Sequence, residues 1–247
     1  MIAVIFFLGA CIGSFVNALV WRMATEKSIV RGRSQCTSCS GVIAWYDLVP
    51  IVSFFVLRGR CRACEKKISW QYPIVEAMMG VLFVMSAIGG QFGVPFFLRW
   101  YFIASLVIIF LYDLRYGLIP ITVTVPATVI AVISALISRE QSVFFLGISL
   151  LIGGGFFGAQ FLLSRGRWVG VGDLFLGLLM GAILGYPLIL VALFLAYISG
   201  AIVSLALLVA KKVTTKSRVP FGPFLCAATV ITILYGDQML AWYLKLL

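Results

Sequence analysis

"WVGVGDLFLGLLMGAILGYPLILVALFLAYISGAIVSLALLVA", Trp168 to Ala210, contains one charged residue, Asp173, and none after it. An uncharged run of this length exceeds the roughly 20 apolar residues that cross a hydrocarbon layer. Gly185 and Pro187 divide it into two candidate spans, Gly172 to Gly185 and Pro187 to Ala210. The composition of the whole chain agrees: 63% hydrophobic and 11% charged over 247 residues, with a mean hydropathy of +1.14. Soluble domains run at roughly 45–50% apolar and 25% charged. No alternating apolar–polar pattern is present, which argues against a membrane β-barrel. The expected fold is therefore an all-α polytopic membrane protein.

Six further apolar segments bring the expected number of transmembrane helices to about eight: Ile2 to Trp21, Pro73 to Gly90, Pro95 to Tyr112, Ile119 to Ile137, Ser142 to Leu163 and Pro223 to Leu244 join the two above. No basic residue precedes the first span, whereas Arg22, Lys27, Arg31 and Arg33 follow it, which places the N-terminus outside the cytosol. Alternating the loops from there puts sixteen of the nineteen Lys and Arg on the cytosolic side, Lys216 and Arg218 among them, and leaves Arg99, Arg139 and Lys245 outside. That asymmetry is what the positive-inside rule requires. The net charge of +11 thus reads as topology and attraction to a lipid surface, not as a nucleic-acid patch.

The chain divides into residues 1–21, the first span; 22–72, a hydrophilic loop; and 73–247, the remaining helices. The loop holds "CTSC" (Cys36, Cys39) and "CRAC" (Cys61, Cys64), close to zinc-ribbon spacing. The chain has no histidine, so a zinc ion here would be held by four thiolates, a closed structural site with no position for a catalytic water. Two disulfides or free cysteines are the competing readings, but the loop is placed in the reducing cytosol, where disulfides rarely persist. Between the pairs, "LVPIVSFFVL" (Leu48 to Leu57) rises only about 15 Å as a helix, too short to span. It is expected as a buried or interfacial element beneath a zinc-ribbon-like loop.

Carboxylates at the edge of a hydrocarbon layer are costly and need partners. Asp113 ends the third span and Asp173 begins the sixth, so both are expected at the same cytosolic depth. Glu76 suits the helix dipole in the first turn of the second span, and Glu26, Asp47, Glu65 and Glu140 fall in loops. Without histidine, triad and H-E-x-x-H chemistries are excluded. Two close carboxylates that share one proton can activate water and protonate a carbonyl oxygen, as in aspartic proteases. The same two residues could instead merely cap helices or pair with a neighbour such as Arg115.

Six motifs in order, "GACIGSFVNALVWR" (Gly9 to Arg22), the two cysteine pairs, "ISWQYPIVE" (Ile68 to Glu76), "DLRYGLIP" (Asp113 to Pro120), "GVGD" (Gly170 to Asp173) and "PFGPFL" (Pro220 to Leu225), resemble the bacterial prepilin peptidases, or type IV leader peptidases. The resemblance covers nearly the whole chain. It implies an intramembrane GxGD aspartic endopeptidase of the bacterial inner membrane that removes the basic leader of type IV prepilins or pseudopilins after a glycine, with Asp113 and Asp173 as the catalytic pair. It also implies N-methylation of the new amino terminus with S-adenosylmethionine, an activity associated with the cysteine-bearing loop. Phe175 stands where the family commonly has a lysine. A preflagellin-type peptidase would share the aspartates but normally lacks the cysteine loop. A transporter would place acids at the midplane and carry internal repeats. A non-catalytic assembly factor is the remaining rival.

Glycines four residues apart are expected to let helices approach closely: Gly9 and Gly13, Gly154 and Gly158, and Gly177, Gly181 and Gly185. Asn17 needs an interhelical hydrogen bond, and "PFGPFL" reads as a helix-breaking elbow that could also line the site.

Overall fold

The computed structural model describes residues 1–29, 32–88, 93–138, 141–212, 214, 217 and 219–246. Arg31, Gly90, Arg139, Glu140, Lys216 and Arg218, which entered the sequence reading, lie outside these residues. The described chain is helical apart from two isolated antiparallel bridges in the cysteine loop. Its α-helices are α1 (Ile2–Ala24), α2 (Val52–Val56), α3 (Gln71–Ala87), α4 (Val94–Tyr116), α5 (Ile121–Ser138), α6 (Val143–Leu150), α7 (Phe156–Ser164), α8 (Val171–Leu184), α9 (Leu188–Val209) and α10 (Gly222–Leu244).

All eight expected spans are helical, but they differ in length. Among the described residues, six stretches are long and apolar enough to cross a membrane: α1, α4, α5, the run Val143–Ser164 that contains α6 and α7, α9 and α10. Helices α3, of 17 residues, and α8, of 14, are shorter than a full span. At 1.5 Å per residue, α8 rises only about 21 Å. It stops at Gly185, whose φ of 67° ends the helical path just ahead of Pro187. The "LVPIVSFFVL" stretch forms no span either; only the five residues of α2 are helical.

The chain forms two compact units, Met1–Ala104 and Ser105–Leu247. In the first, α1 lies along α3. A Cβ on Gly9 would sit 2.7 Å from the Met79 carbonyl oxygen, and one on Gly13 would sit 2.8 Å from the Glu76 Cα. Lipid tails are as apolar as leucine, so helix association here rests on such close packing and on polar bonds rather than on hydrophobic burial. Asn17 supplies the polar part: buried, it donates to the Tyr72 carbonyl at 3.3 Å and accepts from Gln71 Nε2 at 3.3 Å. The buried Phe83 ring stacks on Trp100 at 4.4 Å, and Trp100 Nε1 donates to Ser86 Oγ at 3.0 Å.

Glu76 departs from its expected place. Helix α3 starts at Gln71, ahead of Pro73, so Glu76 lies beyond the first turn. It is buried, and its Oε2 accepts the Ile51 N–H at 2.7 Å. Ile51 has φ 63° immediately before α2, a conformation uncommon for a β-branched residue. The carboxylate therefore fixes the turn that starts α2, a role beyond a favourable helix-dipole position.

In the second unit α8 is the buried centre, with Leu176, Leu179 and Met180 fully enclosed. A π-helical turn, Leu151–Gly155 with sequence "LIGGG", interrupts the fifth span between α6 and α7. Its glycines admit the α8 backbone: Gly153 lies against Gly177, and Gly154 against the Leu178 side chain. The expected Gly154–Gly158 stripe holds at Gly154 and is corrected at Gly158. Gly158 makes only ordinary contact with Leu174 at 3.5 Å, because the π turn rotates Gly153 into the interface instead. Gly181 packs on the Ser149 backbone as expected of an interface glycine.

Candidate active site and metal centre

Asp113 sits in the last turn of α4 and Asp173 in the first turn of α8, both within the second unit. Local sequence explains each position. In "GVGD", Gly170 is the N-cap of α8. Its N–H donates to Asp173 Oδ2 at 2.9 Å, while the Asp173 N–H donates to the Gly170 carbonyl at 3.2 Å, a reciprocal cap. Gly172 is small because a Cβ there would stand 2.8 Å from the Ile119 Cβ. Asp113 is buried, and the Gly222 main chain at the start of α10 packs against its carboxylate.

The structure brings the two aspartates together: their carboxylates lie within direct electrostatic reach of each other. The buried thiol of Cys226, on α10, lies within reach of both. Asp173 accepts the Gly170 N–H, which leaves further acceptor positions on its carboxylate.

Sequence reasoning did not find the neighbours of the pair. The Tyr197 hydroxyl on α9 accepts from Gln160 Nε2 on α7 at 3.1 Å, and Tyr197 lies within the field of Asp173. Phe221 packs on Tyr197 with ring centroids 4.8 Å apart. The signal available for Phe221 and Gly222 was "PFGPFL", an elbow whose partners are set only by the tertiary approach of α10.

The four cysteines of the loop converge, their sulfurs all within 4.8 Å of one another. They come from two turns of the same construction, offset by 25 residues. In the first, Gln35 bridges Val42, Cys36 N–H donates to the Gly41 carbonyl at 2.9 Å, and Ser40 N–H donates to the Cys36 carbonyl at 2.9 Å. In the second, Arg60 bridges Lys67, Cys61 N–H donates to the Lys66 carbonyl at 2.9 Å, and Glu65 N–H donates to the Cys61 carbonyl at 2.9 Å. Ser40 and Glu65 hold matching φ values of 57° and 56°.

This donor set fits zinc. Tetrahedral Zn–S bonds of roughly 2.3 Å require sulfurs about 3.8 Å apart, and Cys36 Sγ lies 3.9 Å from Cys64 Sγ. Burial pushes the Cys36 thiol up, but the main-chain N–H groups of Cys39 and Ser38 and the neighbouring thiols outweigh it and bring it down to about 7. Beside the cluster, Arg62 bonds Asp47 through two hydrogen bonds of 2.7 and 2.9 Å and holds its carboxyl below the usual carboxylate range.

A cavity of about 270 Å³ in the first unit is lined by Cys11, Ser14, Arg22, Leu48 and Pro50 among others. It is smaller than the roughly 300–1,000 Å³ of drug-sized sites. The Arg22 guanidinium is already donating to the carbonyls of Ser28, Ile29 and Gly32.

The profile of the bacterial peptidase A24 N-terminal domain matches residues 7–89, which include the four cysteines. That of the type IV leader peptidase family matches residues 100–205, which include both aspartates. A prepilin leader peptidase/N-methyltransferase of Bacillus subtilis (strain 168) is 28% identical over 246 residues, 100% of this chain and 99% of the relative. One of Legionella pneumophila is 31% identical, covering 86% of this chain and 75% of the relative. One of Myxococcus xanthus (strain DK1622) is 34% identical, covering 83% of this chain and 63% of the relative. No solved structure matches the chain.

Proposed function

The chain belongs to the type IV leader peptidase family, and from that membership we propose that it is an aspartic endopeptidase that cleaves the basic leader from type IV prepilins or pseudopilins after a glycine. The observation that supports the reading is the placement of Asp113, buried at the end of α4, and Asp173, capped by the Gly170 N–H at the start of α8, within each other's electrostatic field. In the proposed reaction the ionised member takes a proton from a water molecule as its oxygen attacks the scissile carbonyl carbon. The protonated member donates to the carbonyl oxygen. Collapse of the tetrahedral intermediate breaks the C–N bond, and the departing amine takes up the proton that the base removed from water. No covalent enzyme intermediate forms.

The proposed organisation follows the sequence division. Residues 1–21 cross the bacterial inner membrane with the N-terminus outside, 22–72 form a cytosolic zinc-binding loop, and 73–247 form the peptidase core. Cys36, Cys39, Cys61 and Cys64 would hold zinc as a structural ion that ties the two cysteine turns together. The relatives are named as N-methyltransferases as well, and we carry that second activity, with S-adenosylmethionine as methyl donor, as part of the proposal. No step is assigned to residues for it.

The reading is tested by incubating the purified chain in lipid or detergent with a prepilin. Appearance of the trimmed pilin, with the new terminus identified by mass spectrometry, is the expected result. An intact substrate under conditions where a related peptidase cleaves it would overturn the proposal.

A further inference from the structure

The "PFGPFL" segment has a specific relation to one carboxylate. Phe221 precedes α10, Gly222 is its first residue, and Pro223 follows. The segment is fixed from outside the site. The Phe221 ring packs on Tyr197 at 4.8 Å, and Gly200 on α9 leaves room for it, since a Cβ there would stand 3.1 Å from that ring. With Phe221 anchored on α9, the next residue is carried onto Asp113.

At that point the backbone is in contact with the carboxyl group. A Cβ built on Gly222 would lie 2.5 Å from Asp113 Oδ2, 3.1 Å from its Cγ and 3.4 Å from its Cβ. No side-chain carbon is accommodated at the first of these distances, and the short aspartate side chain that ends there is itself buried. Asp113 is buried, with Gly222 and Pro223 also buried, so the carboxyl group has little room to swing aside.

We infer that Gly222 is the positioning residue of Asp113: its lack of a side chain lets the α10 backbone close against that carboxylate and keep it directed at Asp173. The inference rests on the proposed role of the aspartate pair. Gly222 itself touches no reacting atom. It acts through Asp113, so its removal costs turnover and leaves prepilin affinity in place. An adjustment on the scale of 1 Å at a reacting group costs on the order of 100-fold in rate.

The test is a mutant cycle read by two independent measurements. Gly222→Ala is expected to lower kcat for prepilin cleavage by on the order of 100-fold, per mole of prepilin-binding protein, with KM and prepilin binding unchanged. It should also lower the melting temperature in detergent. In the Asp113→Ala background, the two nearest collision atoms are gone and only the 3.4 Å contact remains. There, the same Gly222→Ala change should leave melting unaltered.

Full kcat in a folded Gly222→Ala protein would overturn the inference. So would a melting defect that persists in the Asp113→Ala background, because the collision would then lie elsewhere. If Gly222→Ala alone fails to fold, recovery of a folded double variant still decides in favour of the contact, and failure of the double variant decides against it. An active Asp113→Asn protein would overturn the aspartate-pair reading itself, whereas an inactive Asp113→Asn protein beside a fully active Gly222→Ala protein would overturn only the inference about Gly222.

Discussion

Gly153 and Gly177 lie back to back, each filling with its carbonyl oxygen the space that a Cβ on the other would need. Nothing else could bring the π turn of the fifth span against α8 so closely, and α8 carries Asp173. Gly177→Ala is therefore expected to destabilise the protein by about 1–3 kcal/mol, the usual cost of overpacking. Gly147→Ala, at a glycine with nothing within 4 Å of the added carbon, should be neutral. Thermal unfolding in one detergent compares the two, and equal melting temperatures would count against the close-packing account.

The helices were legible because hydropathy and charge act locally. Stretches such as Pro187 to Ala210 declare themselves, and the observed α9 lies within one residue of them at each end. The cysteine turns were legible because metal-type spacing is a local signal. Contacts made by the main chain were not. That Glu76 would hold the Ile51 N–H, or that Gly153 would meet α8 beside Gly154, depends on where a turn places a backbone group, and side-chain patterns do not encode it. The shortness of α8 was half visible: Gly185 and Pro187 mark its end, but "GVGD" marks its start only once Gly170 is seen to cap it.

The loop should be a metal-dependent fold. Purified protein is expected to hold about one zinc per chain, and Cys36→Ser or Cys64→Ser should abolish it. Binding of structural zinc contributes roughly 10–16 kcal/mol to small domains, so chelation should leave the Arg22 to Tyr72 region open to protease while the helices stay intact. Metal analysis with limited proteolysis checks this. Zinc-free protein with a protease-resistant loop would contradict it.

The Asp47–Arg62 pair gives a pH dependence with a definite sign. Arg62 holds the Asp47 carboxyl below its ordinary range, so the stabilisation is complete above the unfolded-state pKa of about 3.9 and is lost as pH falls through the lower folded value. The stability difference between wild type and Asp47→Asn should be constant near neutral pH and disappear below that range. Melting curves of both proteins across pH measure it. A difference that grows on acidification would reverse the assignment.

Cleavage and methyl transfer should separate, because a carboxylate pair supplies proton transfer and no methyl-transfer chemistry. Asp173→Asn is expected to stop cleavage while leaving methylation of an already trimmed pilin intact, as followed with labelled S-adenosylmethionine. Loss of both activities in a protein with normal zinc content would tie the two reactions to one site.

The sharpest expectation concerns Asp113 and Asp173 as one unit. If they share a proton, each has a task the other cannot perform alone, since one must be charged to activate water while the other must be protonated to donate. Either Asn substitution should then lower kcat by on the order of 10⁴-fold, the scale seen when a member of a catalytic unit is removed. Once one member is gone the remaining carboxylate has no partner, so Asp113→Asn with Asp173→Asn should be no slower than either alone. Independent contributors would instead multiply their losses. The wild-type rate should fall on both the acid and the alkaline side, with apparent pKa values that belong to the pair. Cleavage rates of the two singles and the double against one prepilin, with zinc content and melting temperature as controls for folding, settle the question. Substantial activity in either single would leave the electrostatic pairing of the two carboxylates without a catalytic role.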